Sequence, residues 1–308
     1  MIRMEKQGEW LVGTIPDEAD DMPVGTLLRE QWKWPKKLVH LLFQQKEVWL
    51  DESPVPQHRK VKSGQAIRAK VCTPEPHGVE PSGATLDVLY EDDHLLIANK
   101  PAGVLLHPTE KHHRGTLDHL VAGHFQRTGV QARVRHVHRL DLETSGAVMY
   151  AKHSLASALL DEALRQRHIK RHYVAYVQGT LSKDSGTIAE PIGKDRNHPS
   201  RRRVTPNGDP AITHFRVTER YAGATRLECQ LETGRTHQIR VHLSYLGHPL
   251  LGDTLYGGKA GLIQRQALHA FALRFTHPFG GEMLDVLASI PPELMQLEEK
   301  LRQSPIRR

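Results

Sequence analysis

A chain of 308 residues with 38% hydrophobic content is long enough to bury one large core and a small appended domain, so it reads as a soluble globular protein. Its 42 Lys+Arg against 35 Asp+Glu leave a formal charge of +7, a balance that suits a partner made of phosphates without demonstrating one. The only cysteines, Cys72 and Cys229, lie far apart, which argues against a disulfide framework or a thiolate metal site and for a reducing, cytoplasmic compartment.

In chain order, Met1 to Trp10 is charged throughout and lacks the apolar run of a secretion signal. No stretch approaches the roughly 18 apolar residues needed to span a bilayer, so no membrane partner is expected. Residues 1–23 read as a polar lead-in. Residues 24–72 read as a small domain: a helix over Gly25 to Trp34, Pro35 as a breaker, a second helix over Lys36 to Gln44, and strands near Val48 to Asp51 and Ala66 to Val71. Residues 73–83, with Pro74, Pro76, Gly78, Pro81 and Gly83, predict a linker.

A second domain is expected over 84–295. It opens with a hairpin, Leu86 to Tyr90 and Leu95 to Asn99, before the bend Lys100-Pro101-Ala102-Gly103. Strands are predicted at Gly146 to Tyr150, Tyr173 to Val177, Ala211 to Val217, Arg226 to Leu231 and Leu268 to Phe275. Ser154 and Thr236 are placed to cap two helices between them, and residues 296–308 read as a basic tail. The fold class is α+β, with a mixed, largely antiparallel sheet and flanking helices behind a small N-terminal domain.

Two segments concentrate chemistry. In Arg135-His136-Val137-His138-Arg139-Leu140-Asp141-Leu142-Glu143-Thr144-Ser145-Gly146, a carboxylate sits among cations before a turn into a strand. A nearby cation favours the ionised carboxylate that nucleophilic catalysis needs, although the same pattern also describes a cap or an ion-pair partner. In Thr233-Gly234-Arg235-Thr236-His237-Gln238-Ile239-Arg240-Val241-His242, a glycine turn opens a helix rich in donors. That arrangement suits an anion, and Arg240 could reach back to an aspartate; a solvated basic helix face is the plain alternative.

His138-Arg139-Leu140-Asp141-Leu142-Glu143-Thr144-Ser145-Gly146 resembles the active-site motif of the RluA-type pseudouridine synthase family, typified by the bacterial large-subunit ribosomal RNA enzymes. Ile97 to Gly103 with His107-Pro108, the Thr233 to His242 segment, Gly247-His248-Pro249, Gly252-Asp253 and His269-Ala270 resemble further blocks of that family, in order, from about Val88 to His277. The resemblance implies a pseudouridine synthase fold and an enzyme that isomerises uridines in folded RNA, ribosomal or transfer, without cofactor or metal and as a monomer. It implies Asp141 as the nucleophile, Tyr173 in Lys170 to Gly179 as the ring against the flipped base, and Arg240 as the ionic partner of Asp141. Arg139, Thr144, Arg235, His237 and Gln238 are the expected pocket contacts, and Arg201, Arg202 and Arg203 in the basic loop Lys194 to Pro206 the expected phosphate contacts.

The small domain resembles, loosely, the alpha-L RNA-binding module. Gln45-Lys46-Glu47 stands where that module's turn carries glycine, and Leu50-Asp51-Glu52 where it reads Val-Asn-Gly. Two other classes compete with this reading. A metalloenzyme is disfavoured because the 21 histidines lack ligand spacing on one helix face. A non-catalytic RNA-binding or ribosome-assembly protein would be signalled by loss of the aspartate, tyrosine or arginine, and all three are present.

Overall fold

Alternating apolar residues over Trp10 to Ile15 place Leu11 and Ile15 on one face and fully bury them, which makes the start of the chain a strand and not a lead-in. The computed structural model describes residues 3–110 and 112–303. In it β1 (Glu5–Gln7) and β2 (Trp10–Thr14) join β3 (Val48–Leu50), β4 (Ser53–Pro54) and β5 (Ala66–Lys70) in a five-stranded sheet of order β1-β2-β5-β3-β4. The polar reading of residues 1–23 came from Glu5, Lys6 and Glu9 on the edge hairpin, where charge is at home.

Against this sheet lie α1 (Val24–Thr26), continued by a wider π turn (Leu27–Gln31), and α2 (Lys36–Gln44), which buries Val39 and Leu42. The two turns that lack glycine keep a left-handed backbone all the same: φ is 58° at Lys46 and 54° at Asp51. The segment 73–83 is pinned along its length. Glu75 N donates to Gln131 O, Ser82 N donates to His119 O, and Arg135 donates to both oxygens of the Glu75 carboxylate.

The larger sheet is built from β6 (Val88–Glu91), β7 (Leu95–Lys100), β8 (Arg135–His136), β9 (Ser145–Ala151), β10 (Lys170–Gln178), β11 (Ser185–Ile188), β14 (Thr213–Tyr221), β15 (Ala224–Leu231), β16 (Leu268–Thr276) and β17 (Met283–Leu287). Its order is β11-β14-β15-β10-β16-β9-β7-β6, with β17 paired to β16 and β8 to β9. Every pairing is antiparallel except β16 with β9, which meet in parallel through His269↔Ser145 and Ala270↔Gly146. A separate ribbon, β12 (Ile192–Lys194) with β13 (Arg202–Val204), forms an arm that packs Ile192 and Val204 with Val241 of α5 and Tyr256, from what the sequence presented as a basic loop.

Three helices flank the sheet: α3 (Leu117–Thr128), α4 (Ser154–Arg165) and α5 (Gln238–Tyr245). A fourth, α6 (Pro292–Gln303), replaces the first part of the expected basic tail, because Leu294, Leu297 and Leu301 recur at helical spacing and are buried. Residues 304–308 of that tail lie outside the described residues.

Two caps also differ. His153 rather than Ser154 caps α4, its Nδ1 accepting from Ala156 N, and His237 rather than Thr236 precedes α5, in a left-handed conformation with φ 60°. One continuous core runs from Leu11, Val24 and Ile67 of the small domain into Leu95, Met149, Leu155 and Phe275, so the two units are packed as one body.

Candidate active site

Asp141 stands in the turn between β8 and β9, and the turn is fixed by buried neighbours. Thr144 N donates to Asp141 O at 3.1 Å, and the Thr144 hydroxyl accepts from Gln266 Nε2 at 2.7 Å. Lys100, fully buried, donates from Nζ to Leu142 O at 2.8 Å and Pro101 O at 2.9 Å. Burial pushes its pKa down to about 8, against the pull of Glu143 and Asp141. Arg265 donates to Glu143 O and to Ser145 Oγ. Gly146 then turns into β9 at φ 116°, where an added Cβ would lie 2.2 Å from Ala270 O, so no other residue fits this crossing.

The second wall is the loop into α5. Gly234 passes so close to Arg171 that a Cβ would meet its Nη1 at 2.7 Å, while Arg171 Nη2 donates to Thr233 O. Gln238 closes the loop. Its Oε1 accepts from Thr233 Oγ1 and Arg235 N, and its Nε2 donates to Ile212 O and Thr213 Oγ1. All four positions of that amide are taken by protein, so Gln238 shapes the pocket and is not offered to a ligand, contrary to the sequence expectation.

Arg240, in the first turn of α5, donates from Nη1 to Asp141 Oδ2 at 3.2 Å. Its other edge grips Asp253, Nε to Oδ2 at 2.7 Å and Nη2 to Oδ1 at 2.9 Å. Burial works against its charge, but Asp253 and then Asp141 outweigh that and hold its pKa above the ordinary guanidinium value. Arg139, nearer in sequence, is exposed at the cleft's rim, and no ion pair joins it to Asp141 among the described residues. His237 Nε2 lies 3.9 Å from Asp141 Oδ2; burial lowers its pKa, with Asp141 opposing.

Tyr173 enters from β10, beside a register shift between His172 and Tyr173, and is 4% exposed. Burial raises its phenol pKa, Arg171 opposing and Asp141 adding to the rise. Asp141, Tyr173, Arg139, Thr144, Arg235, His237, Gln238 and Arg240 thus line one cleft of about 50 Å³. Arg235 lies at its edge, bonded to Pro210 O and 3.9 Å from Asp209. Arg201, Arg202 and Arg203 are outside it, on the arm.

Lys100, Asp253, Tyr256, Arg265 and Gln266 were absent from the residues expected in the site. Lys100 and Asp253 stood within quoted motif blocks, but their roles depend on contacts from Lys100 to Leu142 and from Arg240 to Asp253 that spacing does not display.

The family model described as RNA pseudouridylate synthase matches residues 94–245, and one described as the RluD ribosomal pseudouridine synthase N-terminal domain matches residues 11–67. A Bacillus subtilis protein named as an RNA pseudouridine synthase is 43% identical over 96% of this chain and 98% of its own length. Ribosomal large subunit pseudouridine synthase D of Nitrosomonas europaea is 38% identical over 95% of this chain and 88% of its own. The solved structure of human RNA pseudouridylate synthase domain containing 1 superposes with a TM-score of 0.57 at 29% identity, covering 74% of this chain and 99% of that one. With the cleft's aspartate, tyrosine and arginine in place and relatives matching nearly end to end, the chain belongs to the RNA pseudouridine synthase family and is an isomerase acting on RNA.

Proposed function

We propose that this enzyme converts specific uridines of ribosomal RNA to pseudouridine, with Asp141 as the nucleophile. The contact that carries the reading is Arg240 Nη1 to Asp141 Oδ2 at 3.2 Å, which aims a carboxylate into a cleft walled by Tyr173. Ribosomal RNA is favoured over transfer RNA because the Nitrosomonas relative is named for the large ribosomal subunit and the N-terminal match is to a ribosomal enzyme's domain.

The target base leaves the RNA stack for the cleft. Asp141 bonds to the nucleotide, the N1–C1′ bond breaks, the ring turns and a C5–C1′ bond forms; the bond to Asp141 breaks and returns the free carboxylate, the C5 proton leaves and N1 gains one. Substrate and product are isomers, so the balance needs no oxidant or co-substrate; the enzyme is proposed to act as a monomer in the cytoplasm. Tyr173, kept protonated by burial, serves as the ring wall for the flipped base. The arm's Arg201, Arg202 and Arg203 meet phosphates and set affinity.

The test is pseudouridine mapping by carbodiimide-dependent reverse-transcription stops on total RNA. A strain lacking the protein should lose one or a few ribosomal sites, which wild type restores and Asp141→Asn does not. No lost site in any RNA class, or full restoration by Asp141→Asn, would leave an RNA-binding or assembly role as the account.

A further inference from the structure

Behind Arg240 lies a second layer that the proposed chemistry does not use. Asp253 is 2% exposed and occupies the Nε and Nη2 edge of the guanidinium, which leaves Nη1 for Asp141. The loop that presents it is tightly held. Gly252, at φ 75°, would bring a Cβ to 2.1 Å from Arg265 O, and Leu251 N donates to Tyr176 O at 2.8 Å, so the loop rides on the strand that carries Tyr173.

Three residues on, the Tyr256 ring lies under Arg240, whose Cζ is 4.9 Å from the ring centroid. The Tyr256 hydroxyl accepts from the backbone N–H of Arg202 at 2.9 Å and lies 2.8 Å from His237 Nδ1. An oxygen that accepts from an amide has its own proton to give. Donated to His237 Nδ1, that proton leaves His237 carrying its hydrogen on Nε2, the nitrogen facing Asp141 at 3.9 Å. Arg201 of the arm also stands over this ring, at 5.8 Å. Tyr256 therefore touches both groups that flank Asp141 and the strand that bears the arm's arginines.

We infer that Asp253 and Tyr256 are positioning residues of the reaction. Asp253 holds Arg240 so that one amino group stays aimed at Asp141, and Tyr256 ties that arginine and His237 to β13, so that seating of RNA on the arm is passed to Asp141. The chemistry gives Asp253 a further use. When Asp141 becomes an ester to the nucleotide its charge is gone, and a buried guanidinium with no other anion would be uncompensated; Asp253 keeps it paired and in place for the return step. This inference rests on Asp141 being the nucleophile.

The experiment is single-turnover release of tritium from ribosomal RNA transcribed with uridine tritiated at C5, alongside filter binding of the same RNA. Asp253→Asn keeps volume and removes the charge, and Tyr256→Phe keeps the ring and removes both hydroxyl contacts. A small loss of aim costs on the order of 100-fold in rate, so Asp253→Asn should fall by that order and Tyr256→Phe by about tenfold, both with Kd for RNA within about twofold of wild type. A merely structural role would instead lower binding and rate together, and either that result or wild-type rates in both variants overturns the inference. Asp141→Asn is run in parallel. If it still releases tritium, the nucleophile assignment falls and this inference with it; if it is silent while Asp253→Asn and Tyr256→Phe run at the wild-type rate, only this inference falls. Should Asp253→Asn fail to fold by circular dichroism, Tyr256→Phe alone decides.

Discussion

Gly146 is where the site is most exposed to a single methyl group. Its φ of 116° lies in a region that side chains avoid, and the backbone of Ala270 fills the space a Cβ would need. Gly146→Ala combines strain with a clash against backbone that cannot swing aside. The expected cost is roughly 3 kcal/mol, read as a lowered urea midpoint, with catalysis reduced further because Asp141 stands five residues back in the same turn. An unchanged midpoint would mean that β9 and β16 can part at little cost. Asp141 and Arg240 were expected as partners from the family resemblance; the residues alone displayed a carboxylate among cations and an arginine near a helix start that could reach an aspartate. They did not display that Arg240 is shared with Asp253, or that Gln238 spends its amide on the protein, because those facts depend on which strands become neighbours.

At the scale of elements, the proposed function puts phosphate contact outside the cleft on the arm of β12 and β13. Arg203 is exposed on it, whereas Arg202 is anchored through its backbone to Tyr256. Arg203→Ala should weaken RNA binding across sequences and lower the slope of log Kd against log salt by about one, measured by filter binding from low to moderate salt. An unchanged slope would remove Arg203 from the phosphate contacts. Among elements, α2 was legible from Lys36 to Gln44 because Pro35 marks its start and Val39 and Leu42 mark its inner face. By contrast, α3 was hidden by the buried polar residues Asp118 and His119, which are satisfied by the Tyr150 hydroxyl and by Thr116. Its apolar stripe is broken in sequence though its packing is not. The strand β2 was hidden by the charges of the hairpin around it, and α6 by the basic residues that follow its leucines.

For the whole molecule, buried histidines set the response to acid. Burial holds His94 and His269 down to about 4 and His138 and His153 down to about 3, against an ordinary value of 6.5 in the unfolded chain. A depressed folded pKa gives stability that is present above the unfolded value and is lost as pH falls through the folded one. Between about pH 6.5 and 4 the unfolded state binds the extra protons, and each histidine adds a slope of up to about 1.4 kcal/mol per pH unit. The thermal midpoint should therefore be flat near pH 7 to 8 and drop steeply below 6.5. A midpoint that holds to pH 5 would show that these rings are hydrated in solution. Two of the four, His94 and His153, face each other at 3.1 Å against Phe279, whose carbonyl accepts from Met4 N, so their protonation should loosen the junction between the two sheets.

The strand β16 lies between β10 and β9, yet its His269 pairs with Ser145, 124 residues earlier in the chain. During synthesis at roughly 5–20 residues per second, Asp141 leaves the ribosome on the order of ten seconds before the strand that closes its sheet, and several seconds before Arg240. Tyr173 follows soon after Asp141, but the carboxylate lacks its ionic partner Arg240, and β16, which joins the strand of Tyr173 to β9, is still to come. On the proposed mechanism a nascent chain would be inert toward the RNA that surrounds it, with competence arriving late, with the central strand.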